Sequence, residues 1–504
     1  MRKFLVLKRF QWIRLFIMLM LLSTFFCLLF TLPVDLSTGN SQNSSESNRK
    51  ISQDDFPYKN YPANLNEIRN SEMRHLSQDS VYLDYTGAGV YSDYSFDLYE
   101  KYMLSHYFPD HSLRSAKITS NDKINEIRNE ILEFVGANPN EYSVVFVASA
   151  TQALKLIGEV FPWGKNSLYL YTKYNHNSVL GIRQYVLNAN ASFKPIEWPP
   201  KISEIKSIAE KLTSNDMNLF AFPLEENFAG MKPGPQFLYD ITHDDEIRKK
   251  FIILGDVAAY LPTNPLNLTE TPLDACSLSF YKIFGYPNTG ALIIRKNLVQ
   301  KVRKLGYSSL SAKFSLPSEN IYSIDERFKL EDEKVPLEMN LAVHYGLSFL
   351  QRIGMKNIQN HVWNLTQRLY KGIDSLTHSM GQKVAEIYGN HQKNDPNLQG
   401  GIVSFNLKRT NGSYFGYSVF VSDASQYGYH LRGGCQCNPG ACFEAMKISE
   451  EKVRKYYDNK ETCGDKNDVV DGIPLGAVRA SLGWSSTEQD VDNFIQWVQD
   501  NYVF

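Results

Sequence analysis

Leu278–Gly290 reads LSFYKIFGYPNTG, and Lys282 sits within it among aromatic, apolar and small residues. An ammonium in a poorly hydrated pocket loses solvation, so its pKa falls and the amine becomes a nucleophile able to form Schiff bases. The plain alternative is a lysine that lays its stem along apolar surface and keeps its head in water. The sequence around the stretch bears on the choice. Short apolar runs alternate with amphipathic helical stretches: SVVFVA (Ser143–Ala148) precedes TQALKLIGEVF, and SLYLY (Ser167–Tyr171) precedes SVLGIRQYVL. LFAFP (Leu219–Pro223) ends in EENFAG, and FIIL (Phe251–Leu254) ends in GD. Runs apolar throughout, alternating with helices, predict an α/β fold whose mostly parallel sheet is covered on both faces. Ligands of such sheets sit outside the carboxyl ends of the strands. Thr151, His176, Asn227, Asp256 and Lys282 each fall just after an expected strand end, so one crevice can collect them. That convergence favours the buried amine.

Beyond about residue 310 the texture changes. Helical NLAVHYGLSFLQRIG leads to strand-like GGIVSFNL (Gly400–Leu407) and AVRASLG (Ala477–Gly483). In the closing TEQDVDNFIQWVQDNY, Thr487 can cap a helix whose stripe is Val491, Phe494, Ile495 and Val498. The expectation is a large domain over 76–310 and a smaller α+β domain over 311–504 that folds back on it, with the folded part starting near Tyr82.

The chain has 504 residues, 43% hydrophobic and 21% charged, with a formal net charge of -1. That gives room for both domains and does not suggest a nucleic-acid partner. Leu15–Leu32, LFIMLMLLSTFFCLLFTL, is uncharged and long enough to reach the threshold for crossing a bilayer. It reads as a transmembrane signal-anchor over 15–32, although a cleaved signal peptide is the alternative. Residues 1–14 form a short basic end, and a polar, Ser- and Asn-rich linker follows over 33–75. Arg2, Lys3, Lys8, Arg9 and Arg14 precede the span and no basic residue follows it before Arg49. The positive-inside rule therefore keeps the amino end cytosolic and sends the remainder to the lumenal or extracytoplasmic side. Thiol chemistry pulls the other way, because an oxidising compartment favours disulfides.

A Schiff-base lysine points to pyridoxal phosphate, whose needs can be matched to residues. Its phosphate needs backbone N–H groups at a helix start together with hydroxyls, which Ser149 and Thr151 in ASATQAL supply and Ser279 can extend. Taken alone, Ser149 and Thr151 read as plain N-caps. A protonated pyridine nitrogen calls for a buried carboxylate, and Asp256 follows FIILG directly, where a turn aspartate is the alternative. His176 can stack on the ring or simply hydrogen-bond, and Asn227 can contact the ring hydroxyl or shape a turn.

Taken together, YLDYTGAG (Tyr82–Gly89), ASATQAL, NHNSVLGIR, FPLEENFAG, LGDVAAYLPTNPL, LSFYKIFGYP, LRGGCQCNPGAC and CGDKNDVVDGIPLGAVRASLGW resemble molybdenum cofactor sulfurases in their amino-terminal, cysteine-desulfurase-like half. The resemblance runs from about residue 80 to 500, within the class V aminotransferases. It implies a fold-type I pyridoxal enzyme, a Schiff base on Lys282, phosphate ligands Ser149, Thr151 and Ser279, His176 stacked on the ring, Asn227 at its hydroxyl and Asp256 at its nitrogen. It further implies Arg479 as the clamp for the substrate carboxylate, Cys437 as the sulfur-accepting nucleophile, L-cysteine as substrate and a homodimer. Ala259 and Tyr281 stand where bacterial-type desulfurases have glutamine and histidine, and the loop after the lysine is shorter than is usual in the sulfurases. The sulfur acceptor is unknown, and no place for molybdopterin is visible in the sequence.

Three of six cysteines crowd into CQCNPGAC, Cys435–Cys442. A metal site, three inert buried thiols and a nucleophile are all open by the residues themselves. The single-residue gap and the lack of a second paired cluster suit zinc poorly, so no metal is expected.

Overall fold

Leu219, Phe220, Ala221 and Phe222 are each no more than 1% exposed, although successive side chains of a strand point to opposite faces. Leu219 and Ala221 pack with Tyr169, Leu254 and Leu292, whereas Phe220 and Phe222 pack with Leu170, Ile253 and Leu278. Such a strand has no polar face, so it is stable only with helices on both sides of its sheet. Burying each phenylalanine stabilises the fold by roughly 1.5–3 kcal/mol.

The computed structural model describes residues 60–504 apart from 77–79, 106–115, 305, 309–310, 325–328, 332–336 and 458–467. The strands in chain order begin with β1 (Val81–Tyr82), β2 (Tyr142–Val147), β3 (Leu168–Thr172), β4 (Ser192–Ile196), β5 (Asn218–Pro223), β6 (Phe251–Asp256), β7 (Ala275–Ser279) and β8 (Gly290–Arg295). They continue with β9 (Ala312–Ser315), β10 (Tyr322–Ile324), β11 (Ala385–Tyr388), β12 (Ile402–Leu407), β13 (Tyr429–His430), β14 (Arg432–Gly434), β15 (Val469–Val470), β16 (Ile473–Pro474) and β17 (Ala477–Ser481). Seven form the main sheet, in the order β2-β8-β7-β6-β5-β3-β4. The pairs from β7 to β4 are parallel, and β8 runs antiparallel to both β2 and β7. The expected mostly parallel α/β sheet is therefore present, with an antiparallel strand inserted where LSFYKIFGYPNTG turns back. A second sheet of four antiparallel strands, β11-β12-β17-β14, lies in the later half.

β4 carries SFKPI with four exposed residues at the sheet edge, which is why no apolar run marks it in the sequence. The last helix, Glu488–Tyr502, is capped as expected: Thr487 accepts from the Asp490 N–H at 3.0 Å and Asp490 accepts from the Thr487 N–H at 2.9 Å. Val491, Phe494 and Val498 are fully buried beneath it.

Two domain boundaries are corrected. The folded part starts well before Tyr82, within the expected linker 33–75: Tyr61 donates to the Trp484 carbonyl at 2.6 Å, and Leu65 and Ile68 of the helix Leu65–Glu72 are buried. Residues 81–86, assigned in sequence to the large domain, pack on the later half instead. β1 pairs with β13, and Asp84 bridges to Ser481 at the end of β17. An amino-terminal segment that closes over the second sheet has no local signature, because its partners are some four hundred residues away. The expected span 15–32 lies outside the described residues. Among the described residues no helix is long and apolar enough to cross a membrane.

Candidate active site

Strand register sets the site. Pro223 and Asp256 stand side by side at the carboxyl ends of β5 and β6, with Ser277 of β7 beside Asp256, while Ser279 and Val147, at the carboxyl ends of β7 and β2, both pair with Gly290 from either side of β8. A Cβ on Gly290 would fall 2.4 Å from the Leu278 carbonyl and 2.8 Å from the Ser149 backbone. Only glycine lets the turn after β2 close on the end of β7. The helix Ala150–Val160 then starts beside Ser279, whose hydroxyl accepts from the Ala150 N–H at 2.8 Å.

Beyond these strand ends lies a cleft, open to solvent, of about 490 Å³, lined by Thr151, His176, Ser178, Asn227, Asp256, Ser279, Tyr281 and Lys282 among others. Six of the nine residues singled out in the sequence thus line one cleft. Ser149, Arg479 and Cys437 do not. Ser149 caps the helix, accepting from the Gln152 N–H at 3.4 Å, so the N-cap alternative describes its present bonding.

Burial drives the Lys282 ammonium pKa down, with Arg479 and Arg432 acting in the same direction and Asp256 and Asp84 opposing them. The amine is therefore closer to its nucleophilic form than a surface lysine. Burial also lowers His176 to about 4, assisted by Lys282, so the imidazole is neutral at physiological pH. Its Nδ1 accepts from the Ser178 N–H at 3.2 Å, and the Ser178 hydroxyl also meets Thr151 Oγ1 at 2.9 Å. Asp256 is buried and accepts from the Ala258 N–H and the Ser277 hydroxyl, both at 3.1 Å. These two bonds leave lone pairs free for a ring N–H.

Arg479, on β17, is 3% exposed and donates to Asp84 Oδ1 at 2.7 Å and to the Asn227 carbonyl at 2.9 Å. Its Nε is buried without a partner. A guanidinium held on two sides with an orphaned donor suits a further anion, such as a substrate carboxylate. Asp84, within YLDYTGAG, is a further residue of the site. Its other oxygen takes Arg432 at 2.8 Å, and Arg432 stands directly opposite Arg479 across β14 and β17. A charge inside an otherwise apolar string was the available signal, as it was for Lys282.

Cys435 and Cys442 form a disulfide with Cα atoms 5.2 Å apart, whereas Cys437 is a free, exposed thiol. The disulfide removes two of the three sulfurs from any shared metal set. The Cys437 carbonyl accepts from the Asn177 N–H at 2.7 Å, next to His176, so the thiol's loop borders the cleft. Asn227 is also drawn to this loop, its amide donating to the Gln436 carbonyl at 2.6 Å.

A lysine of lowered pKa, a buried carboxylate, a neutral imidazole and hydroxyls at a helix start, all lining one cleft, fit pyridoxal phosphate. The sequence pattern of aminotransferase class-V proteins matches residues 81–494. The chain belongs to the aminotransferase class-V family. Like the family, it is a pyridoxal-phosphate-dependent enzyme. The class-V chain is 34% identical over 487 residues to molybdenum cofactor sulfurase of Arabidopsis thaliana, covering 89% of this chain and 60% of that protein. It is 32% identical over 460 residues to the Homo sapiens molybdenum cofactor sulfurase, covering 87% and 51%. It therefore spans about half to three fifths of the length of these relatives. Among solved structures, a cysteine desulfurase from Thermococcus onnurineus NA1 superposes with a TM-score of 0.69 at 16% identity, covering 87% of this chain and 98% of that one. The cysteine desulfurase CsdA from Escherichia coli gives 0.67 at 13%, with the same coverage. These likenesses show the fold.

Proposed function

We propose that the chain is a cysteine desulfurase of the molybdenum cofactor sulfurase kind, moving sulfur from L-cysteine to Cys437. The observation that carries this reading is the free, exposed Cys437 on a loop whose backbone is bonded beside His176, at the rim of the Lys282 cleft. Pyridoxal phosphate, when bound, supplies the electron sink. Thr151 and Ser279 would hold its phosphate, with Ser149 at the same helix start, Asp256 would keep its ring nitrogen protonated, and His176 would stack on the ring. Lys282, with its lowered pKa, is the base that takes the substrate α-proton, and Arg479 receives the α-carboxylate. The Cys437 thiolate takes the sulfur. The carbon–sulfur bond breaks with its electron pair left on carbon, which gains a proton, so L-cysteine and the Cys437 thiol become L-alanine and a Cys437 persulfide.

Other class-V reactions, transamination or a lyase reaction on another amino acid, need no thiol. Lys282→Ala should abolish alanine release and persulfide formation together, whereas Cys437→Ser should retain the visible cofactor absorbance while losing sulfur transfer. Alanine release at the unsubstituted rate from Cys437→Ser would refute Cys437 as the sulfur acceptor, and absence of alanine release from L-cysteine by the unsubstituted chain would refute the desulfurase reading. We further propose a homodimer, and a membrane anchor at 15–32 that puts the catalytic part on the lumenal side, from the basic residues before the span. Protease digestion of the catalytic part from the cytosolic face of sealed membranes would overturn that topology.

A further inference from the structure

Gln436 and Cys437 both have φ of 56°, in the left-handed region that non-glycine residues occupy when their surroundings over-determine them. The neighbours of Cys437 are indeed held on both sides by two consecutive residues. Asn227 takes the Gln436 carbonyl, and Glu226 Oε2 accepts from Asn438 Nδ2 at 3.1 Å. Glu226 and Asn438 are 1% and 0% exposed. Glu226 also accepts the N–H groups of Phe228, Ala229 and Met231 at 2.8, 2.8 and 3.1 Å, so its position in its own turn is fixed. Asn438 is fixed in turn: its N–H reaches the Cys435 carbonyl at 2.9 Å and its Oδ1 accepts from the Ala441 N–H at 3.3 Å. A Cβ on Gly440 would lie 2.1 Å from the Lys173 carbonyl, so the loop is pressed against the segment leading to His176. This buried carboxylate thus bonds the turn carrying Asn227 to the cysteine loop, 212 residues away.

We propose that Glu226 is the positioning residue for Cys437: through Asn438 it holds the loop that carries the thiol at the rim of the cleft. The proposal rests on the desulfurase reading and adds to it that the loop carrying Cys437 is held in place from the turn that carries Asn227.

The test uses the full chain loaded with pyridoxal phosphate, comparing Glu226→Ala, Asn438→Ala and the double variant. Each single variant should retain the visible cofactor absorbance and bind L-alanine within about twofold of the unsubstituted chain, because neither residue touches the cleft. Single-turnover persulfide formation on Cys437 should slow by about 10²-fold, the scale of an ångström misplacement, and the double variant should be no slower than either single. Amide hydrogen exchange at residues 438–442 should quicken in all three. Persulfide formation at the unsubstituted rate, additive losses in the double variant, or loss of the cofactor absorbance along with activity would each overturn the positioning role. Absence of any persulfide on Cys437 in the unsubstituted chain would refute the desulfurase reading itself, and the exchange comparison would still decide whether Glu226 holds the loop.

Discussion

Removing Asp84 should destabilise the protein far more than removing Arg432, the charge at its exposed end. Asp84 lies between two guanidinium groups that face each other across β14 and β17, Arg479 at 3% side-chain exposure and Arg432 at 51%. Asp84→Ala leaves Arg479 as a buried cation with one carbonyl contact, and breaking a buried pair in this way costs about 3–5 kcal/mol. It also leaves two like charges directly opposed on paired strands, which adds roughly 0.2–1 kcal/mol. Arg432→Ala, by contrast, removes a solvent-screened partner and should cost about 0–1 kcal/mol. Urea unfolding followed by tryptophan fluorescence is a suitable assay, since Trp484 is 2% exposed and follows Arg479 by five residues. Arg479→Met placed in the Asp84→Ala background should recover part of the loss, because the uncompensated charge is then gone. Equal losses for Asp84→Ala and Arg432→Ala would refute the charge argument.

Three further outcomes are expected. His391 is 1% exposed, stacks on Tyr370 with ring centroids 4.9 Å apart, has neither ring nitrogen bonded, and is pushed down to about 4 by burial. The unfolded chain therefore takes up a proton that the folded one refuses, so stability falls as pH drops from about 6.5 towards about 4 and is level above that window. His391→Phe should raise stability by about 1 kcal/mol at pH 7.5, by removing unpartnered polar atoms, and flatten that acid slope; urea unfolding at both pH values checks it. Gly290→Ala should weaken pyridoxal phosphate binding, read by absorbance titration, because the added carbon meets the Leu278 carbonyl and the Ser149 backbone. Thr487→Ala should cost about 1 kcal/mol in thermal or urea unfolding through loss of the capping box on the last helix.

The apolar runs of β2, β3, β5 and β6 were legible because a strand buried on both faces must be apolar at every position, and helices must cover it. The rule that ligands sit at strand ends then places Thr151, His176, Asn227, Asp256 and Lys282 at one crevice from sequence alone. Thr487 was readable as a cap because capping is a contact within four residues. Nothing local marks β4, an exposed edge, or the antiparallel course of β8. The partnership of Asp84 with Arg479 joins positions 395 residues apart, and that of Glu226 with Asn438 joins positions 212 apart. Each residue alone reads as an ordinary charge or turn former. Which cysteine stays free was likewise undecided by spacing, since Cys435, Cys437 and Cys442 differ only in the chain's path around them. Sequence determined the sheet, the cofactor cleft and its lysine, because periodicity and strand-end chemistry are short-range. The tertiary structure decided which buried charges meet and how the cysteine loop is held, because those depend on bringing distant segments into contact.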